Sequence, residues 1–277
     1  MRSAHGLRRK AVLGLMVWLA VCAGVAAALL AGAVWPEASG DRRSSDGDLT
    51  VDASHSEDGY FMAKAAQGSR KLKLRVEKDG TTLTYDLNSD GAYEVFPLQL
   101  GSGSYACKLY ENLSGNKYAQ VGAVTVKAEL TDEYAAFLCP NQYVNYTPDS
   151  AAVALSEEIC QGLESDREKF DAIREYIRRN YVYDFVRAAT VVNASGTLPD
   201  IDGCVERRMG ICQDLAGMAA CMLRVQGIPT KLVVGYADNS YHAWNSVRID
   251  GEEVLYDPTA DLNALPGSPT YTVERFY

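Results

Sequence analysis

The hydrophobic period of the chain turns from strand-like to helical near residue 150, and that change limits the folds open to it. From Tyr60 to Leu130 apolar and polar residues alternate, as in "KLKLRVEKDG", "TTLTYDLNSDGAYEVFPLQL" and "SYACKLYENLSGNKYAQVGAVTVKAEL". Alternation places every second side chain on the same face of a strand, so one face is buried and the other is wet. Asp79-Gly80, Asp90-Gly91 and Ser114-Gly115 cut this run into short pieces joined by turns, which predicts a small antiparallel β-sandwich or barrel over 60–130.

After a connector over 131–149 the period becomes helical. Ala152, Val153, Leu155, Ile159 and Leu163 share one face, and Phe170, Ile173 and Ile177 share another. "SDRE", Ser165 to Glu168, has the form of a capping box and sets the start of the second helix. "YVYDF" reads as extended, Cys204 to Met209 as a short helix, and Gln213 to Val225 as a longer one stopped by Gly227 and Pro229. Three strands follow: "KLVVGYA", "YHAWNSVRI" and "EEVLYDPT", the last two joined at Asp250-Gly251. The fold class is α+β, with a β-sandwich before a mixed domain over 150–277.

Ahead of both lies a basic flank, "MRSAHGLRRK", and then Ala11 to Trp35 without a charged residue. About 20 apolar residues suffice to span a bilayer as a helix, so 1–35 reads as a cytoplasmic flank and transmembrane anchor. A signal peptide cut near Ala31 to Ala33 is the other reading. Arg8, Arg9 and Lys10 keep the amino-terminal side inside, which places the remainder outside the cytoplasm, anchored to the cell membrane or secreted. Residues 36–59, rich in Gly, Ser and Asp, read as a flexible linker. Beyond Trp35, 36 acids face 23 Lys and Arg, a balance that excludes nucleic acid and anionic lipid as partners of the exported part.

"DLNSDGAYEVFP" offers Asp86, Asn88, Asp90 and Gly91 at EF-hand positions, but Pro97 stands where a bidentate glutamate is required. A hairpin turn is the better reading there, and no metal site is assigned. The seven cysteines contain no CxxC pair; outside the cytoplasm Cys204 has Cys160 or Cys221 as disulfide candidates, and Cys221 falls on the opposite face of its helix from Cys212.

Cys212 follows Gly210-Ile211 at a helix start, where free backbone N–H groups and the helix dipole favour a thiolate. A nucleophile of this kind needs a base. Of the three histidines, His5 lies in the basic flank and His55 in the linker, leaving His242. A two-residue turn at Asp250-Gly251 pairs Ile249 with Glu252 and sets Trp244 opposite Asp257. His242 and Asp257 are then diagonal neighbours on one face, within reach of an imidazole and a carboxylate.

"GICQDLAGMAACMLRVQGIPTKLVVGYA", "YHAWNSV" and "LYDPT", with the preceding helix "KFDAIREYIRRNYVYDF", resemble the catalytic core of the transglutaminase-like superfamily in its bacterial exported form. The resemblance implies a papain-related fold and a Cys-His-Asp triad: Cys212 as nucleophile, His242 as base and acid, Asp257 orienting His242. It implies attack on a carboxamide and a thioester acyl-enzyme. It also implies an aromatic oxyanion donor beside the Cys212 N–H, assigned to Tyr183 ahead of Tyr181. Trp244 and Gln213 are candidate substrate-binding residues. Gln213 stands where animal transglutaminases carry tryptophan, and the downstream β-barrels of those enzymes have no counterpart here, so calcium dependence does not transfer and no cofactor is expected.

The expected substrate is a protein or peptide, with cell-wall material among the candidates. The expected activity is that of a peptidase or amidase, or of a cross-linking acyltransferase, because the motifs define the acyl-enzyme and not its acceptor. The contrasting reading is a catalytically inactive surface binding or scaffold module.

Overall fold

The computed structural model describes residues 32–68, 70–191, 197–263 and 269–277. Of the flank and anchor expected over 1–35, residues 1–31 lie outside the described residues. Among the described residues no helix is long and apolar enough to cross a membrane.

Two four-stranded antiparallel sheets build the amino-terminal part. One has the order β1-β2-β3-β6, from β1 (Arg43–Asp46), β2 (Leu49–Asp52), β3 (Tyr60–Ala65) and β6 (Glu94–Pro97). The other has the order β5-β4-β7-β8, from β4 (Leu72–Lys78), β5 (Thr81–Leu87), β7 (Gly103–Ser114) and β8 (Lys117–Ala128). Their inner faces share a core that includes Leu49, Phe61, Leu74, Tyr85, Phe96, Tyr105 and Leu109, each contributing roughly 1.5–3 kcal/mol through burial of apolar surface.

The expected linker over 36–59 is corrected here, since its middle, Arg43 to Asp52, is a hairpin of this sheet. Leu49 and Val51 are 0% and 1% exposed, and the Asp48 N–H donates to Val121 O at 3.2 Å. The segment looks like linker because β1, "RSSD", is an edge strand exposed along its whole length. Its glycine serves the turn: Gly47 has φ +54, and a Cβ there would come within 2.0 Å of Val121 O. The turn at Asp90-Gly91 is also corrected. Its flanks are strands, but they belong to different sheets, so the chain arches from one to the other instead of closing a hairpin.

The carboxy-terminal part contains α1 (Ala151–Cys160), α2 (Asp166–Asn180), β9 (Val182–Tyr183), α3 (Phe185–Val191), α4 (Ile201–Arg207), β10 (Met209–Gly210) and α5 (Cys212–Arg224). After these come β11 (Thr230–Ala237), β12 (Ser240–Ile249), β13 (Glu252–Tyr256), α6 (Pro258–Asn263) and β14 (Tyr271–Phe276). The sheet order is β13-β12-β11-β14, with all pairs antiparallel. The periodicity foresaw neither α3, α6 nor β14: the two helices are each no longer than two turns, and β14 is mostly exposed and lacks an apolar face.

Helix α2 starts as its capping box requires, with the Glu168 N–H donating to Ser165 Oγ and the Ser165 N–H to Glu168 Oε2. Helix α5 is buried over eleven of its thirteen residues, from Asp214 to Arg224. An almost uniformly apolar helix of this kind belongs inside a core, and the sheet, α1, α2 and α4 surround it. At its end the fully buried guanidinium of Arg224 donates to the carbonyls of Cys139, Thr230 and Tyr277. These bonds tie connector, helix and last strand together and replace the lost hydration of the charge.

Candidate active site

Three local devices set the start of α5. The two-residue parallel pairing of β9 with β10 brings Gly210 level with Tyr183. Gly210 lies so close to its neighbours that a Cβ would sit 2.7 Å from Cys204 Sγ and 2.9 Å from Asp214 Cβ. Asp214, fully buried, accepts from the N–H groups of Ile211 (3.0 Å) and Asp200 (2.9 Å) and is ion-paired with Arg187 of α3. Burial pushes the Asp214 carboxyl above its ordinary range, against the pull of those N–H groups and of Arg187. Ile211 has no side-chain oxygen with which to cap, so the Asp214 carboxylate supplies half of a capping box at the end where Cys212 begins the helix.

The register of the β12–β13 hairpin is the one counted from its turn, with Ile249 opposite Glu252 and Asn245 opposite Tyr256. It carries His242 and Asp257 to one place: His242 Nε2 and Asp257 Oδ2 are 2.7 Å apart. Asp257 is held firmly. Its Oδ1 accepts from the N–H groups of Thr259 and Ala260, capping α6, while Oδ2 also accepts from Tyr271 Oη at 2.8 Å. Arg174 of α2 anchors the same short helix through two bonds to Asp261.

With Nε2 committed to Asp257, Nδ1 remains for Cys212, whose half-buried thiol adds to the hydrogen bonding of the ring. Burial works against the imidazolium, but the hydrogen bonds and charges of Asp257 and Cys212 outweigh it and raise His242 to about 9. Burial also opposes the charged form of Asp257, yet the bonds from His242, Ala260 and Tyr271 hold its carboxyl below the ordinary value. The structure therefore brings Cys212, His242 and Asp257 together.

Of the remaining sequence candidates, Tyr183 is at the site. Its hydroxyl meets the Cys212 backbone N–H, and burial, with the charge of Cys212, pushes its pKa up to about 12, so it keeps its proton at neutral pH. Tyr181 belongs to the core, 5% exposed and beside Tyr176. Gln213 is half-buried and donates to Thr197 O at 3.2 Å. Trp244 is corrected as a substrate-binding candidate: it is 2% exposed and packed between His242 and Tyr271, where it supports the imidazole and is closed to a ligand. The six described cysteines, Cys204 and Cys221 among them, are free thiols. Sequence reasoning missed Tyr271 and the pairing of Arg187 with Asp214. No spacing rule links them to the triad, and β14 itself was not anticipated.

Residues 153–258 match the family model of the transglutaminase-like superfamily. Among solved structures, the chain is similar to a protein from Cytophaga hutchinsonii provisionally described as a cysteine protease (15% identity, TM-score 0.38, 72% of this chain and 78% of that one). It is also similar to a TGase (23% identity, TM-score 0.35, 44% and 33%) and to the periplasmic domain of TgpA from Pseudomonas aeruginosa bound to ethylmercury (16% identity, TM-score 0.38, 74% and 73%). No curated protein sequence matches the chain. The matched segment, 153–258, carries the cysteine, the histidine and the aspartate, and is similar to the transglutaminase-like superfamily.

Proposed function

We propose that the protein is a cysteine acyl-transfer enzyme acting on amide bonds of protein or peptide substrates, with Cys212, His242 and Asp257 as its triad. The observation that carries this reading is the placement of one imidazole between a thiol and a buried carboxylate that is itself fixed by three further donors. His242 is raised to about 9, so the ring carries a proton at neutral pH, and the sulfur attacks as its thiolate.

The sulfur attacks the amide carbonyl, and the resulting oxyanion is met by the Cys212 N–H and the Tyr183 hydroxyl. Collapse breaks the C–N bond as the imidazolium gives its proton to the departing amine, leaving a thioester. Water or a second amine, deprotonated by His242, then releases the acyl group and restores the thiol. Asp257 stays ionised throughout and keeps the ring oriented. Hydrolysis is favoured, since water always reaches a site with a half-exposed thiol. The apolar run before Pro36 and its basic flank support work outside the cytoplasm, on a membrane anchor or after secretion.

The test is alkylation of the full chain with iodoacetamide across pH, with modification of Cys212 followed by mass spectrometry. Fast, pH-dependent labelling that slows roughly a hundredfold in His242→Ala supports the enzyme. Slow labelling indifferent to His242 supports an inactive binding module instead. Incubation with a proteome and an amine probe then separates new chain ends, released ammonia and probe incorporation.

A further inference from the structure

Three of the five residues 182–186 are large apolar side chains open to solvent: Val182, Phe185 and Val186 are 60%, 69% and 79% exposed. Single exposed apolar residues are ordinary on a protein surface, whereas a cluster marks a place where something binds. This cluster adds nothing to the core, since no residue of α3 is buried. It is nevertheless fixed in place. The Asp184 N–H donates to Gly210 O at 3.0 Å, Asp184 Oδ1 accepts from the Arg187 N–H at 2.8 Å, and Arg187 is ion-paired with Asp214 in the first turn of α5.

The cluster also adjoins the reacting groups. The Phe185 ring meets the Tyr183 ring edge-on, with centroids 4.9 Å apart, and the Tyr183 hydroxyl meets the Cys212 N–H. One ring thus separates Phe185 from the point where the oxyanion of an acyl transfer would form.

We propose, resting on the acyl-transfer reading above, that Phe185 and Val186 set the specificity of the site by receiving an apolar side chain, such as leucine or phenylalanine, from the acyl part of the substrate. An extended peptide advances roughly 3.3–3.6 Å per residue, so the first or second residue from the reacting carbonyl spans the width of the intervening ring. An apolar side chain gives up its hydration there against surfaces that are already apolar. A charged or hydroxylated one finds little to pair with, because the Arg187 guanidinium is committed to Asp214 and Asp184 Oδ1 to the helix backbone. The acyl part stays bonded to sulfur after the amine has left, so the same contact serves both halves of the reaction. A second copy of the chain is a poorer occupant, since a stable interface buries about 800 Å² per partner, far more than three side chains supply. Anionic lipid is disfavoured because residues 182–191 hold one cation, Arg187, and it is paired.

The experiment is stopped-flow acylation of the detergent-solubilised full chain by acetyl-dipeptidyl p-nitrophenyl esters in which both residues are Leu, Phe, Ser or Glu. Each rate is divided by that of the same ester with free cysteine, and mass spectrometry identifies the acylated residue. The Leu and Phe esters acylate Cys212 at least about tenfold faster than the Ser and Glu esters. The double substitution Phe185→Ser, Val186→Ser reduces that preference to about twofold, while Phe185→Leu keeps it. Leu113→Ser, at an exposed apolar position of β7, leaves all four rates as they were. The proposal is overturned if the wild type takes the four esters alike, if the polar esters react faster, or if the double substitution keeps the preference. It is also overturned if that substitution slows iodoacetamide labelling of Cys212 as much as it slows the Leu and Phe esters, because the two side chains then support the thiol and not the substrate. Acylation by none of the esters overturns the acyl-transfer reading itself, and the specificity proposal with it.

Discussion

Replacing Asp257 by Asn tests the electrostatic core of the site, because the two side chains have the same shape and differ in charge. Oδ1 of the asparagine can still cap α6 through Thr259 and Ala260, so the local backbone is preserved. In the wild type His242 is raised from 6.5 to about 9 in spite of its burial. A group whose folded pKa is raised lends stability that is fully present below its unfolded value and disappears as pH climbs through the folded value. The wild type should therefore lose about 3 kcal/mol of unfolding free energy between pH 6.5 and pH 9 on account of His242. Asp257, held low, contributes with the opposite sign: its share is present above 3.8 and is lost as acid titrates the folded carboxylate. In Asp257→Asn burial still opposes the imidazolium and only Cys212 still favours it, so His242 should titrate well below 9 and the alkaline slope should flatten. Urea unfolding at half-unit pH steps measures the slope, and the Cε1–H resonance of His242 measures the titration directly. An identical slope in both proteins, or a wild-type His242 that titrates near 6.5, would refute the reasoning.

Tyr271→Phe removes one donor from Asp257 Oδ2 and leaves His242 on the same oxygen. It should cost about 1–2 kcal/mol of stability and move the pH profile of Cys212 alkylation upward, because the carboxylate then holds the imidazolium more tightly; an unmoved profile would assign Tyr271 a packing role only. Arg187→Met strands the fully buried Asp214 carboxylate and should destabilise by about 3–5 kcal/mol, with part of the loss recovered in the double substitution with Asp214→Asn, as denaturant unfolding of the three variants will reveal. Leu49→Ala should cost about 2–5 kcal/mol if the β1–β2 hairpin belongs to the core, whereas a flexible tether would leave the unfolding midpoint where it is.

Much of this protein follows from short-range rules that act within a few residues. The capping box at Ser165 starts α2, and the apolar run after Gln213 becomes the buried helix α5. The Asp250-Gly251 turn sets a register that carries His242 and Asp257 into one hydrogen bond. A two-residue turn and the pleat of a strand are local geometry, so counting residues was enough to align that pair. Other features escaped because their cause lies elsewhere in the chain. The hairpin over Arg43–Asp52 has its partner faces in β3 and β8, and its own residues are mostly polar. Tyr271 reaches Asp257 only because β14 pairs with the far side of β11, and Arg187 reaches Asp214 across a segment of more than twenty residues. Trp244 stands two residues from the histidine in sequence, yet packing hides it beneath the ring. Periodicity and turn chemistry determined most of the elements and the alignment of His242 with Asp257. The tertiary structure alone decided how those side chains are held, because burial and second hydrogen-bond partners depend on strands and helices that meet only when the chain has closed on itself.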